Sequence, residues 1–207
     1  GDSAFTTDLG LADIDCDGDL DLVTANSSAE RLFLFSNNGS TDPFAQGIAM
    51  ELATARIVAT GLHLDDLDGD GNPDCIALDR SLSHATFLNR GAIDPFFEST
   101  PFGLRPNGPN ESYALAAGDL DRDGDIDLVV GNDRADEPNL LYLNNGTSNP
   151  FAGVTGADIT ADTDDTLAVA LGDVDGDGDL DLVAGNWEAQ NRLYLNTGTS
   201  DPFAGET

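Results

Sequence analysis

Residues 172–186 read GDVDGDGDLDLVAGN, with carboxylates on nearly every second position before the chain turns apolar. Five acids lie between Asp173 and Asp181, where like charges repel, so something must neutralise them. Side-chain oxygens at positions 1, 3 and 5 of a tight turn converge on one point. A glycine at 6 permits the sharp bend, and the carbonyl of 7 and the carboxylate of 9 can close the shell. That is a cage for a hard divalent cation. Oxygen-only donors exclude the softer metals that seek His and Cys, and a flexible, ligand-rich loop suits calcium better than magnesium.

The motif recurs as DIDCDGDLD from Asp13, DLDGDGNPD from Asp66, DLDRDGDID from Asp119 and DVDGDGDLD from Asp173, at steps of 53, 53 and 54 residues. The candidate ligands are therefore Asp13, Asp15, Asp17, Asp19 and Asp21; Asp66, Asp68, Asp70, Asn72 and Asp74; Asp119, Asp121, Asp123, Asp125 and Asp127; and Asp173, Asp175, Asp177, Asp179 and Asp181. All four copies keep Asp at 1, 3, 5 and 9 and Gly at 6, namely Gly18, Gly71, Gly124 and Gly178. About four calcium ions per chain are expected. Each motif is followed by an apolar run (DLVTAN, CIALDR, DLVVGN, DLVAGN) and then by RLFLFSNNGSTDPF, ATFLNRGAIDPF, LLYLNNGTSNPF or RLYLNTGTSDPF. Repetition at this period governs the whole chain.

An EF-hand begins similarly but needs a bidentate Glu at position 12 and flanking helices. Position 12 here is Thr24, Ala77, Val130 or Ala184, and the flanks are short, apolar and β-prone. Each unit reads as strand, acidic hairpin loop, strand, short polar loop, strand, Asx-Pro-Phe turn and a weaker outer strand, which is a propeller blade. The expectation is an all-β, propeller-type array of four four-stranded antiparallel blades, either closed or part of a larger propeller or assembly. The chain reads as one repeat domain with units near 1–55, 56–110, 111–162 and 163–207, the last without its outer strand. Phe44, Phe96, Phe151 and Phe203, each following an Asx-Pro pair, are expected to pack between blades.

With these residues in hand, the chain resembles the FG-GAP/VCBS repeat family, similar to the calcium-binding blades of integrin alpha-subunit propellers. The DxDxDGxxDL core and the LYLNNGTSNPF segment carry the resemblance, which covers essentially the whole chain. It implies calcium in the loop between the first two strands of each blade. It does not imply one activity, because such propellers serve in adhesion proteins, in lectins and as appendages of extracellular enzymes. Family propellers commonly have seven blades, against four repeats here.

The formal net charge is −31, and all eight basic residues are arginine, so nucleic acid is an improbable partner. About half of the 39 acids sit in the four loops. No apolar run is long enough to span a membrane. Cys16 lies in a loop and Cys75 at a core position, so both are expected as free thiols. His63 and His84 lie in no recognisable nucleophile constellation, and the chain is read as non-enzymatic. The expected role is an extracellular or cell-surface structural or adhesive module contacting other proteins or copies of itself, in a fibre or a larger propeller, with an uncovered sheet edge as one docking site. The alternatives are glycan binding, as a lectin-like module, or service as a non-catalytic appendage of an extracellular enzyme. The loops joining second to third strands (from Ser27, Arg80, Asp133 and Trp187) share one face, and Trp187 is expected to be structural rather than sugar-stacking. Sequons at Asn26, Asn38, Asn110 and Asn145 weakly support an extracellular setting.

Overall fold

A computed structural model of the chain describes residues 5–27, 30–45, 50–52, 57–79, 84–91, 95–96, 102–104, 112–133 and 137–205. It contains four antiparallel sheets in sequence order. The first comprises β1 (Thr6–Ala12), β2 (Asp21–Asn26), β3 (Arg31–Phe35) and β4 (Met50–Glu51). The second comprises β5 (Ala59–Asp65), β6 (Asp74–Asp79), β7 (Ala85–Phe87) and β8 (Phe102–Gly103). The third comprises β9 (Ser112–Gly118), β10 (Asp127–Asn132), β11 (Leu140–Tyr142) and β12 (Ala157–Asp158). The fourth has three strands, β13 (Thr166–Gly172), β14 (Asp181–Asn186) and β15 (Arg192–Tyr194). Each sheet is a simple meander, with β1 against β5, β5 against β9 and β9 against β13 along the inner side. This is the propeller-blade architecture. Among the described residues no helix is long and apolar enough to cross a membrane.

Burial along the second strand of each blade follows from what flanks it. In blades two and three every residue of β6 and β10 is buried, because neighbours cover both faces. Hence DCIALD and DLVVGN are apolar through their middles instead of alternating. In the first blade β2 alternates buried and half-buried residues, and in the fourth blade Val183 of β14 is exposed, since each end blade has one covered face. Register is kept by the apolar set itself, because a one-residue slip would exchange the two faces.

Three clusters of buried side chains lie between successive blades. Ile14, Val23 and Leu34 of the first meet Leu62, Cys75, Phe87 and Phe96 of the second. Leu67, Ile76 and Leu78 meet Leu128, Val130, Tyr142 and Phe151. Leu120, Val129 and Leu141 meet Leu182, Ala184, Tyr194 and Phe203. Burial of each large side chain contributes about 1.5–3 kcal/mol relative to exposure. Among the described residues no such cluster joins the fourth blade to the first.

Two expectations about aromatic residues need correction. Phe96, Phe151 and Phe203 are buried against the preceding blade, but Phe44 is 36% exposed and, among the described residues, joins no interblade cluster. Trp187, expected to be structural, has a side chain 59% exposed just beyond β14. The cysteines behave as read: Cys16 is exposed, Cys75 is buried and both are free. Burial pushes the Cys75 thiol well above its usual range, so it stays protonated and inert. Much of the loop set from Ser27, Arg80 and Asp133, and the sequon at Asn110, lies outside the described residues. Asn26 is buried, accepts from Thr6 Oγ1 at 2.9 Å and donates to Thr24 Oγ1, so its side chain serves strand pairing and is closed to glycosylation.

Candidate metal centre

The four acidic loops share one internal bonding pattern. The position-1 carboxylate (Asp13, Asp66, Asp119, Asp173) accepts from the glycine N–H at position 6 at 2.9–3.1 Å. Position 3 accepts from the N–H of 5, and position 5 from the N–H of 7. The chain therefore winds round its own carboxylates. Gly18, Gly71, Gly124 and Gly178 have φ of 98°, 90°, 97° and 92°, a region open to glycine, which accounts for the invariant residue at 6.

Carboxylate oxygens consequently converge. One oxygen each from Asp13, Asp15 and Asp17, and likewise from Asp66, Asp68 and Asp70, lie within 4.8 Å of one another. The same holds for Asp119, Asp121 and Asp127, and for Asp173, Asp175 and Asp181. Asp119, a member of the third group, has its Oδ1 buried without a hydrogen-bond partner. At position 3, burial first and neighbouring carboxylates second raise Asp15, Asp68 and Asp121 above the ordinary range. Each ionised group there would be favoured by a cation. The donor set is all oxygen, so these residues fit a hard divalent ion.

Position 9 does more than complete a cage. Asp21, Asp74, Asp127 and Asp181 are wholly buried. Through Oδ2 they accept from the N–H of position 2 (Ile14, Leu67, Leu120, Val174) at 2.8–3.0 Å. Through Oδ1 they accept from the N–H of Asn37, Asn89, Asn144 and Asn196 at 2.7–2.8 Å. Burial pushes Asp74 up to about 7 and Asp127 up to about 6, against the lowering effect of those N–H donors.

The position-7 side chains turn elsewhere. A Cβ on Gly39, Gly146 or Gly198 would come within 2.8, 2.6 and 2.6 Å of an Oδ2 of Asp19, Asp125 and Asp179 respectively, and these glycines also have positive φ. In the second blade Asn72 packs over Gly91 in the same way. Neighbouring loops also touch: Cys16 Sγ lies 3.4 Å from Asn72 Oδ1, and Arg122, at position 4 of the third loop, is ion-paired to Asp179 of the fourth.

The asparagine of the recurring Asn-x-Gly turn escaped the sequence reading, although its period was plain in SNNG, LNRG, LNNG and LNTG. Asn89 Nδ2 donates to Ile14 O, Asn144 Nδ2 to Leu67 O and Asn196 Nδ2 to Leu120 O, each at 2.8 Å and each to the preceding blade. The same amides donate to the position-8 carbonyls Pro73, Ile126 and Leu180 of their own blade. One asparagine thus ties the loop of one blade to the loop of the next.

His84 Nδ1 accepts from the Asp79 N–H at 3.3 Å and its Nε2 lies 3.2 Å from Ser112 Oγ, while Ser112 donates onward to Asn132 Oδ1. His63 Nε2 lies 3.5 Å from Asp65 Oδ2, and this partner chiefly holds Asp65 below the usual carboxylate range.

A serial array of antiparallel blades, each with an aspartate loop between its first two strands, defines the class of repeat propellers. Models of the FG-GAP-like repeat match residues 13–77, 66–130 and 119–184, and the chain belongs to that family. Among curated proteins it is similar to Cartilage acidic protein 1 of Xenopus tropicalis, 26% identical over 93% of this chain and 33% of that protein. Among solved structures it is similar to BBS1N crystallised in complex with ARL6DN. Two such crystals give TM-scores of 0.59 and 0.62 at 13% and 15% identity, covering 95% of this chain and 57% and 58% of that one. The chain thus spans about a third of the curated relative and somewhat over half of the structural one.

Proposed function

We propose that the chain is a non-catalytic, extracellular calcium-binding module that acts by presenting blade surfaces to other proteins or to copies of itself. The carrying observation is the fourfold convergence of aspartate oxygens in hairpin loops, one of them a buried acceptor without a partner at Asp119. Each ion takes the side chains of positions 1, 3 and 5, the main-chain oxygen of 7 and the carboxylate of 9. Calcium supplies the positive charge that relieves repulsion within each loop. The extracellular reading is supported by the likeness to a protein named for cartilage, and the protein-contact reading by a structural neighbour crystallised in a complex. A solvent-exposed Trp187 favours a second reading, in which the β14–β15 loop stacks on a sugar. A glycan array with and without calcium separates the two.

Titration calorimetry with elemental analysis tests the calcium reading. About four ions per chain are expected, with a melting temperature that falls markedly in chelator. An unchanged melt in chelator at low salt would sink it.

A further inference from the structure

The second loop differs from the other three in what already occupies its carboxylates. Asp68, at position 3, has a side chain only 1% exposed, and Arg90 Nη1 donates to its Oδ2 at 3.4 Å. Asp70, at position 5, accepts at Oδ1 from the Asn72 N–H at 2.9 Å and again from the Asn72 side-chain amide at 2.8 Å. These are two of the three aspartates whose oxygens converge in that loop. Position 7 of the other loops is Asp19, Asp125 or Asp179, a carboxylate that accepts and does not donate. Among the described residues no guanidinium pairs with the convergent carboxylates of those loops: Arg122 reaches Asp179, which lies outside its loop's converging group.

Both donors are held in place by the fold. Arg90 follows Asn89, which is fixed to Asp74 Oδ1 and Ile14 O, and its own N–H donates to Pro95 O at 2.9 Å. The guanidinium is thus delivered by the turn that is anchored to the last carboxylate of the same loop. Asn38, Asn145 and Thr197 stand at this place in the other blades, and their side chains bond within their own turns. Asn38 accepts from the Ser40 N–H, Asn145 donates to Asn149 O and Thr197 donates to Asp201 O. Asn72 is oriented from the first blade, because its Oδ1 accepts from the Cys16 thiol at 3.4 Å, which turns Nδ2 toward Asp70.

We propose, resting on the calcium reading of these loops, that the second is the regulated site of the four: Arg90 and Asn72 are built-in counter-groups, so this loop fills last and empties first as calcium changes. Three effects act in one direction. The loop holds four aspartates against five in each of the others, and ligand charge sets calcium affinity in such cages. The Arg90 guanidinium offsets one of those four charges. Loading also requires both side-chain donors to leave Asp68 and Asp70. Arg90 is then released to solvent, so the second blade presents a free cation on an acidic face only when calcium is high.

Calcium calorimetry and equilibrium dialysis on the full chain, stripped of metal on a chelating resin and kept at about 150 mM salt, should resolve three tighter ions and one weaker. The weak ion should be held about tenfold less tightly. Arg90→Asn, which installs the residue of the first and third blades at an exposed side chain, should tighten it about fivefold, while Arg90→Lys leaves it weak. Adding Asn72→Asp to Arg90→Asn should bring all four ions into one class. Melting curves in calcium show that each variant folds. Four equal sites in the parent chain, a weak class that Arg90→Asn leaves unmoved or that survives the double variant, or a shift in all four ions would each overturn the graded site while the calcium reading stands. Absence of any binding would overturn both.

Discussion

Asn89 and Asp74 hold each other across the foot of the second blade: the Asn89 N–H donates to Asp74 Oδ1 at 2.7 Å, while the Asn89 amide reaches back to Ile14 O. The last carboxylate of each loop is therefore both a candidate ligand and the anchor of the residue that clasps two blades. Its fourth-blade equivalents are Asp181 and Asn196.

Asp181 and Asp177 should fail differently. Asp181→Ala strands the buried N–H of Asn196 and the part-buried N–H of Val174, and should cost about 2 kcal/mol even in chelator. Asp177 is exposed and accepts only the Asp179 N–H, so Asp177→Ala should remove one ion of four with little change in the chelated protein. Urea unfolding with and without calcium reads both. Equal losses in chelator would refute the distinction.

The chelated protein should lose stability as pH rises. Asp74 and Asp127 are raised in the folded chain to about 7 and about 6, above the roughly 3.9 of an unfolded aspartate, so the folded state binds more protons through that window. Their contribution is complete below about pH 4 and is lost as pH climbs through 6 and 7. Calcium should reverse the trend, since protons compete with the ion for the same oxygens. Melting curves at pH 5.5 and 8 with and without calcium check the sign.

Arg122 should couple the third and fourth loops. It adopts φ 62° to reach Asp179, in a conformation that glycine occupies at position 4 of two other loops, Gly69 and Gly176. Arg122→Gly should relieve backbone strain while losing the ion pair, leaving a small net change. A double-mutant cycle with Asp179→Asn should give a coupling of about 1 kcal/mol that fades in high salt, since the Arg122 side chain is half exposed.

Asn144→Ala should cost about 2–3 kcal/mol, because it leaves Leu67 O unpaired between blades. Asn37→Ala, with no interior junction to hold, should barely move the melt of a dilute sample. Comparable losses at the two sites would refute the clasp.

Much of the candidate site was legible because every carboxylate of a cage comes from one hairpin. Spacing alone placed Asp13, Asp15 and Asp17 together, and Gly18 announced the bend. The clasp was not legible, since Asn89 meets a carbonyl 75 residues away and nothing local distinguishes it from an ordinary turn asparagine. Phe44 and Trp187 misled for a related reason. Phe44 has the same local sequence as the buried Phe203, but its burial depends on whether another blade stands beside it. Asn26 likewise sits in a formal sequon, yet its partner Thr6 lies on the adjoining strand.

The clasp also bears on how such a chain can change over generations. Each unit carries a donor asparagine for the blade before it and an acceptor carbonyl for the blade after it, at a step of 53 or 54 residues. An in-frame duplication or deletion of one step leaves every remaining donor facing an acceptor and every apolar face facing its complement. Repeat number is then free to drift by single genetic events, with no compensating substitutions at the seams.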